Sequence, residues 1–320
     1  MKRPLTIAAL AAGLIALAAA TTLFFLGAYS GRSWSDPASA RCDAPPVTFG
    51  AKRVLSDRQE VEVHFTCAGA ALAGTLTLPK GAGPHPALVW VHGSGDGGRL
   101  TYHGAPLVRT LVRSGLAVLS YDKRGVGESQ GVCCPGDDDH FNLLAADVVG
   151  AVNALRSRPD IDRKQIGLLG ASQAGWIVPV AVARSHHRVA FTALVDAPTT
   201  TTGEERLYSR LAGEDKPGTL SPQKKVEIAR RLKPSGFDPA PFLKQMTVPG
   251  LWLYGGQDKS IPAEKSAAIL DELRKTQAKD FTVRVFPNAG HGLLDVPPTD
   301  PKALPAIVAW ILTRVHVPSR

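Results

Sequence analysis

The chain has 320 residues, which is long enough for one large α/β domain with a sizeable core. Charged residues make up 20% of the chain and hydrophobic residues 44%, a balance that is ordinary for a globular protein. The formal net charge is +9, but the basic residues are scattered and not clustered with aromatic ones, which argues against nucleic-acid binding. We interpret the charge as a solubility feature with a weak preference for anionic surfaces.

The first segment of the chain has the features of an export signal. Lys2 and Arg3 precede an uncharged run, residues 4–31, that is rich in alanine and leucine. Its core, residues 5–28, is long enough to span a bilayer as a helix. We therefore predict a signal peptide or an N-terminal membrane anchor over residues 1–30 and a linker over residues 31–50. The expected location is periplasmic or extracellular, or at the inner membrane if the signal is not cleaved.

Four cysteines fit an exported protein with one or two disulfides: Cys42, Cys67, Cys133 and Cys134. Because a bridge between adjacent cysteines is strained, we expect Cys133 or Cys134 to pair with Cys42 or Cys67. A zinc site is the competing interpretation, but the chain has no C-x-x-C spacing, so we do not favour it.

The elements that follow the linker predict an α/β sheet. Alternating apolar residues over 60–66 and 71–78 predict an antiparallel hairpin. Short apolar runs then predict buried parallel strands over residues 87–91, 116–121, 165–169, 191–195, 250–254 and 281–286. Helix-compatible stretches lie at residues 100–114, 141–158, 175–184, 262–276 and 302–314. This alternation predicts a mostly parallel sheet covered on both faces, with the ligand site at the carboxyl ends of its strands.

One connection in this pattern is long for a link between strands. It covers residues 201–247 and is either a lid over the site or a surface excursion. Within it, Ser221 and Pro222 predict the start of a capped amphipathic helix.

The stretch 170–175, G-A-S-Q-A-G, follows a buried strand and precedes a helix. This is the setting that a nucleophile elbow needs, with a strained serine, Ser172, at the tip of the turn. The common pattern is G-x-S-x-G. Here Ala174 occupies the place of the second glycine, and Gly175 follows it. The alternative interpretation is an ordinary strand-to-helix turn.

A serine nucleophile needs a base, and the base needs an acid that orients it. His291 follows the last strand and is flanked by glycines, so its ring could reach inward. Asp258 comes just after the strand at 250–254, and Asp196, which follows the strand at 191–195, is the alternative. The order serine, aspartate, histidine along the chain favours Asp258. We expect His92 to be structural.

A glycine-rich loop, residues 92–98 (H-G-S-G-D-G-G), follows the strand at 87–91. Acyl transfer needs two backbone N–H donors where an oxygen becomes negative, and glycines let such donors face a site. A flexible loop or a phosphate cradle are the alternatives. No G-K-[ST] follows the loop, so a phosphate cradle is the weaker one.

Three consecutive aspartates, Asp137, Asp138 and Asp139, precede His140 and could suggest a metal site. No cation-loop spacing surrounds them. We therefore interpret them as a solvated loop that caps the helix beginning near Phe141.

Residues 60–314 resemble an α/β-hydrolase, most closely the bacterial exported esterases and serine-aminopeptidase-like members. The resemblance rests on H-G-S-G at 92–95, Y-D-K-R-G-V-G-E-S at 121–129, the elbow at Ser172, G-Q-D at 256–258 and G-H-G at 290–292. It implies a single domain over residues 51–320, with a mostly parallel eight-stranded sheet, helices on both faces and a lid insertion over 201–247.

The same resemblance implies roles for five residues. Ser172 would be the nucleophile, His291 the base and Asp258 its partner, while the amides of Ser94 and Gln173 would stabilise the oxyanion. Asp122 and Arg124 are expected to be structural.

The implied activity is hydrolysis of small or medium acyl esters without a cofactor or metal. An aminopeptidase or a thioesterase on the same triad is the alternative. A non-catalytic binding protein on this fold is a weaker one, because all three triad residues are present.

Overall fold

The computed structural model describes Cys42 and residues 46–95, 97–99, 104–133, 140–294 and 296–317. The predicted signal or anchor over residues 1–30, and most of the predicted linker, lie outside this part of the chain. Among the described residues, no helix has both the length and the apolar character that crossing a membrane requires.

The strands of the described residues form one ten-stranded sheet. They are β1 (Val47–Phe49), β2 (Arg53–Val54), β3 (Gln59–Cys67), β4 (Ala70–Leu78), β5 (His85–Val91), β6 (Ala117–Tyr121), β7 (Ile161–Ala171), β8 (Phe191–Val195), β9 (Gly250–Gly255) and β10 (Phe281–Phe286). Their order is β1-β3-β4-β6-β5-β7-β8-β9-β10, and β2 pairs with β3. Every neighbouring pair from β6 to β10 is parallel, whereas the first four strands pair antiparallel. The mostly parallel sheet is therefore confirmed, and the short strands β1 and β2 add to the eight that were predicted.

Helices cover both faces of this sheet. They are α1 (Gly104–Arg113), α2 (His140–Arg156), α3 (Ala174–Arg184), α4 (Thr202–Ala212), α5 (Pro222–Arg231), α6 (Ala240–Gln245), α7 (Ala263–Gln277) and α8 (Ala303–Leu312). Strand β5 explains the arrangement, because successive side chains of a strand point to opposite faces. Val89 packs into a core with α2, α3 and α7. Leu88 and Trp90 pack into a second core with α1 and α8. A strand buried on both faces reads as a nearly continuous apolar run, and β5, which is buried at every position, is apolar from Pro86 to Val91.

Residues 201–247, all of them described, form α4, α5 and α6 with their connecting turns. Ser221 caps α5 by accepting a hydrogen bond from the Lys224 amide (3.2 Å), and Pro222 is the first residue of that helix, as the sequence indicated. Tyr208 of α4 donates its hydroxyl to the backbone carbonyl of Asp258 (2.9 Å). The insertion therefore contacts the loop that follows β9.

The cysteine pairing differs from our expectation. Cys42 and Cys67 form a disulfide, with Cα atoms 5.2 Å apart, so the predicted bridge from Cys133 or Cys134 to either of them is wrong. Cys133 is also disulfide-bonded. Asn153 of α2 donates to the Cys42 carbonyl (2.8 Å) and so holds Cys42 beside the end of β3. This contact between distant parts of the chain has no local sequence pattern.

Removing the Cys42–Cys67 bridge is expected to destabilise the domain, because the bridge joins residues 25 positions apart and restricts the unfolded chain. The chain-entropy model gives a loss of roughly 3–4 kcal/mol for a loop of this size. Urea unfolding of a Cys42→Ala, Cys67→Ala double variant measures it without reducing the bond at Cys133. An unfolding midpoint equal to that of the parent would contradict the prediction.

Candidate active site

Ser172 lies in the turn between β7 and α3, with its backbone in the left-handed region at φ 52°. The turn is crowded: a Cβ atom at Gly170 would lie 2.6 Å from the Ala174 Cβ, and one at Gly175 would overlap the Pro198 carbonyl oxygen. Both positions therefore require glycine, and the methyl group of Ala174 fits because Gly170 faces it. The structure has the strained strand–turn–helix that the sequence predicted.

The side chains of Ser172, His291 and Asp258 meet in one line of hydrogen bonds. His291 Nε2 lies 3.2 Å from Ser172 Oγ, and His291 Nδ1 lies 2.8 Å from Asp258 Oδ2. Ser172 follows β7, Asp258 follows β9, and His291 follows β10, so all three lie at the carboxyl ends of parallel strands. Both distances are within hydrogen-bond reach, and the arrangement allows a proton to pass from the hydroxyl to the imidazole.

Asp258 is buried, and both of its carboxylate oxygens are hydrogen-bonded. Oδ1 accepts from the amides of Ser260 (2.7 Å) and Ile261 (2.9 Å), while Oδ2 faces His291 Nδ1. An ionised carboxylate only accepts hydrogen bonds, so the neutral imidazole beside it carries its proton on Nδ1. Nε2 is then free to accept a proton from Ser172.

Asp196, the alternative acid, is also buried next to the triad, but its contacts differ. Oδ1 accepts from the Gly255 amide (2.8 Å), and Oδ2 accepts from the amides of Gly292 (3.2 Å) and Leu293 (3.1 Å). It therefore ties the end of β9 to the two residues that follow His291. The geometry favours Asp258 as the direct partner of the imidazole and gives Asp196 the task of holding the histidine loop.

The charges at the site shift the pKa values of its groups. Partial burial of His291 lowers its pKa, but the neighbouring Asp258 carboxylate outweighs this effect and raises the pKa from 6.5 to about 9. Burial, followed by repulsion from the Asp258 carboxylate, raises the pKa of Asp196. The Asp258 carboxylate therefore favours the protonated form of His291 in the free site.

The predicted oxyanion donors belong to two segments next to the serine, the glycine-rich loop and the start of α3. A Cβ atom at Gly93 would lie 3.4 Å from the Ser172 Cβ, so the glycine-rich loop packs directly against the elbow. Gln173 immediately follows Ser172 and begins the turn into α3. In the part of the chain that the structure describes, neither the Ser94 amide nor the Gln173 amide donates to a protein acceptor. The role of these two amides as oxyanion donors therefore stays a prediction.

Lys123 is a buried residue near the site that the sequence analysis did not single out. Its ammonium lies within hydrogen-bond distance of two carbonyls of the glycine-rich loop and of the Gln173 side chain. Its place between Asp122 and Arg124, directly after a buried strand, was the available sequence signal.

Asp122 and Arg124 tie the loop after β6 to its neighbours. Asp122 accepts hydrogen bonds from the Arg99 amide (2.8 Å) and the Glu128 amide (3.1 Å). Arg124 forms a two-pronged ion pair with the buried Asp147 of α2, at 2.8 Å and 2.6 Å. Both contacts lie away from the Ser172 hydroxyl, which agrees with a structural role.

His92 is buried with its ring edge-on to Tyr121, at 5.0 Å between ring centroids. Burial, followed by the charge of Lys123, lowers the pKa of His92 to about 4. Trp176 packs on Phe141 and donates its indole N–H to the Thr200 carbonyl (2.8 Å). Both rings therefore serve packing.

A cleft opens at Ser172. Apart from the serine and His291, its walls include three apolar side chains, Trp90, Val195 and Leu294. An apolar wall next to the nucleophile suits a hydrocarbon group of a substrate, since burial of such a group is favourable.

Among the described residues, one group of side chains could hold a metal ion: Asp196, Asp258 and His291, whose ligand atoms all lie within 4.8 Å of one another. These atoms already bind protein donors or each other. Asp258 and His291 belong to the line of hydrogen bonds that ends at Ser172, and Asp196 holds the histidine loop. The predicted acidic loop, Asp137 to Asp139, lies outside the described residues.

Comparison with known proteins gives a consistent picture. The model of the prolyl oligopeptidase family matches residues 136–316, more than half of the chain. Esterase EstD of Thermotoga maritima is 28% identical over 246 residues, which cover 69% of this chain and 57% of EstD. The match thus spans little more than half the length of that relative.

Two solved structures resemble the structure of this chain at low sequence identity. The acetyl xylan esterase of Paenibacillus sp. R4 is similar with a TM-score of 0.61 at 20% identity, over 88% of this chain and 92% of that one. The acylaminoacyl peptidase of Pyrococcus horikoshii is similar with a TM-score of 0.64 at 18% identity, over 83% of this chain and 43% of that one. These likenesses concern the fold, and they confirm the α/β-hydrolase fold.

The raised pKa of His291 predicts how activity on an ester depends on pH. Only the neutral imidazole can accept the Ser172 proton, so kcat/KM should rise with pH, with a midpoint above the ordinary 6.5. Asp258→Asn removes the charge that raises this pKa. The midpoint should therefore move to lower pH, while kcat falls by on the order of 10⁴-fold. Profiles of kcat/KM from pH 5 to pH 10 measure both effects. An unchanged or higher midpoint in Asp258→Asn would contradict this electrostatic account.

Proposed function

This chain belongs to the prolyl oligopeptidase family, and on that premise we propose that it is a serine hydrolase that cleaves carboxylic esters of small or medium acyl groups. The observation that carries the proposal is the line of hydrogen bonds from Ser172 Oγ through His291 to Asp258, at 3.2 Å and 2.8 Å. These three residue types in this order supply a nucleophile, a base and a group that orients the base.

The reaction proceeds through an acyl-enzyme. His291 Nε2 accepts the hydroxyl proton as Ser172 Oγ bonds to the ester carbonyl carbon, and an electron pair moves to the carbonyl oxygen. The amides of Ser94 and Gln173 donate to this oxyanion. When the oxyanion collapses, the carbon–oxygen bond to the alcohol breaks, and the alcohol takes the proton from His291. The acyl group is left on Ser172.

Hydrolysis of the acyl-enzyme repeats these steps with water. His291 accepts a proton from the attacking water, and the new tetrahedral intermediate uses the same two amides. Its collapse releases the carboxylic acid and returns the proton to Ser172. Asp258 stays ionised throughout and stabilises the imidazolium in each half of the reaction.

Two observations favour esters among the substrates that this triad could cleave. The cleft at Ser172 has apolar side chains in its wall, which suit the hydrocarbon part of an acyl group. EstD, the relative that matches 69% of this chain, is an esterase by name. The family name and the acylaminoacyl peptidase likeness keep a peptidase as the second candidate. A thioesterase would use the same steps.

We also propose that the protein works after export, in the periplasm or outside the cell, or anchored to the inner membrane by an uncleaved signal. The uncharged run at residues 4–31 supports export. The Cys42–Cys67 disulfide supports it as well, because such bonds persist in oxidising compartments.

The proposal predicts that Ser172→Ala abolishes ester hydrolysis. Loss of the nucleophile should lower kcat for p-nitrophenyl acetate on the order of 10⁴- to 10⁶-fold, while the fold is retained. Ser114→Ala is the matched control, since that hydroxyl binds the Thr110 carbonyl at the end of α1, away from the site. Ester hydrolysis by Ser172→Ala at the rate of the parent would overturn the assignment.

The same preparations separate the candidate substrates. The kcat/KM values for p-nitrophenyl acetate, an aminoacyl p-nitroanilide and an acetyl thioester are compared on the parent and on Ser172→Ala. The ester should be preferred over the anilide. A higher kcat/KM for the anilide would favour the peptidase, and a higher value for the thioester would favour the thioesterase.

A further inference from the structure

Lys123 connects three parts of the candidate site through one buried ammonium group. Its Nζ lies 3.0 Å from the Gly93 carbonyl oxygen, 3.2 Å from the Gly95 carbonyl oxygen and 2.9 Å from Gln173 Oε1. The residue is 2% exposed. Its backbone amide also donates to the Gly97 carbonyl (2.9 Å). The glycine-rich loop is thus held by Lys123 at three of its carbonyls.

The order of the strands explains how one side chain reaches so far. Strand β5 lies between β6 and β7, and all three end at the same edge of the sheet. Lys123 follows β6, the glycine-rich loop follows β5, and Gln173 follows β7. The long lysine side chain therefore starts after β6, contacts the loop that follows the middle strand β5, and extends past it to the turn that follows β7.

The Gly93 carbonyl is the most informative of these contacts. It belongs to the same planar peptide group as the Ser94 N–H, and the two groups point in opposite directions. When Lys123 holds the carbonyl, the Ser94 N–H must point away from Lys123. The positive charge of the ammonium beside the carbonyl oxygen also polarises the peptide group and strengthens its N–H as a donor. Ser94 is one of the two predicted oxyanion donors.

The second donor is held through its side chain. Gln173 Oε1 accepts from Lys123 Nζ, so the residue whose backbone amide adjoins the nucleophile is fixed to the same ammonium. An ammonium has three N–H groups to donate, and these oxygens are among its acceptors. A buried cation is costly unless its donors are satisfied, so the contacts hold Lys123 in place as well.

We propose that Lys123 is a positioning residue of the oxyanion hole, whose ammonium orients the peptide group of Gly93 and Ser94 and anchors Gln173 beside the nucleophile. The inference rests on the proposed function, because an oxyanion hole matters only if Ser172 attacks a carbonyl. Lys123 itself does not touch the reacting atoms. Its effect is on the transition state, in which the substrate oxygen becomes negative, and not on binding of the neutral ester.

Lys123→Met tests the proposal because methionine has a similar length but neither the charge nor the N–H donors. The kcat for p-nitrophenyl acetate should fall by on the order of 10²-fold, with KM changed by less than about threefold. Affinity for a trifluoromethyl ketone, which mimics the tetrahedral intermediate, should fall by the same factor as kcat/KM. If Lys123 had a purely structural role, its replacement would lower the melting temperature but leave kcat and the affinity for the ketone unchanged.

The matched control is Lys279→Met. Lys279 also donates its ammonium to backbone carbonyls, those of Lys244 and Met246, but these lie away from the site. It should keep the kcat and the ketone affinity of the parent. Should Lys123→Met not fold, Lys123→Gln, which keeps an N–H donor but no charge, is measured in its place and should show the same split between kcat and KM.

Three outcomes are informative. If the parent enzyme hydrolyses the ester and a folded Lys123 variant keeps the parental kcat, the role of Lys123 is overturned and the proposed function is left intact. A folded variant with raised KM but parental kcat would also overturn it. A parent enzyme without any hydrolase activity would overturn the proposed function, and the role of Lys123 with it.

Discussion

The hydrogen bond between Asp258 Oδ2 and His291 Nδ1 is the contact on which the candidate site depends. It fixes the tautomer of the imidazole, holds the ring towards Ser172 and raises the pKa of His291. The amides of Ser260 and Ile261 satisfy the other oxygen of Asp258, so the carboxylate has one orientation. A line of interactions thus runs from backbone amides, through two side chains, to the nucleophile.

The parallel sheet brings the parts of this line together. Parallel strands end at one edge, so the residues that follow them become neighbours although they lie far apart along the chain. At this edge the strands from β6 to β10 present Lys123, Ser94, Ser172, Asp196, Asp258 and His291. The side chains that do not face the substrate directly support the site. Asp196 ties the histidine loop to β9, and Lys123 ties the glycine-rich loop to the elbow.

The sequence predicted the residues whose roles are encoded by local chemistry, and not those whose roles depend on strand order. Ser172 was found because a crowded turn needs small neighbours, and His291 because glycines flank it. The three-way contact of Lys123 exists only because β5 lies between β6 and β7, which local periodicity does not reveal. Our prediction of the cysteine pairing was wrong for the same reason, since the Cys42–Cys67 disulfide depends on α2 holding Cys42 beside β3.

The most direct test of the central claim is covalent labelling of the serine. The purified protein is treated with a fluorophosphonate, and the modified peptide is identified by tandem mass spectrometry. The account predicts one phosphonate on Ser172, much slower labelling in His291→Ala, and no labelling of that peptide in Ser172→Ala. A label on another residue, or equal labelling of the parent and Ser172→Ala, would contradict it.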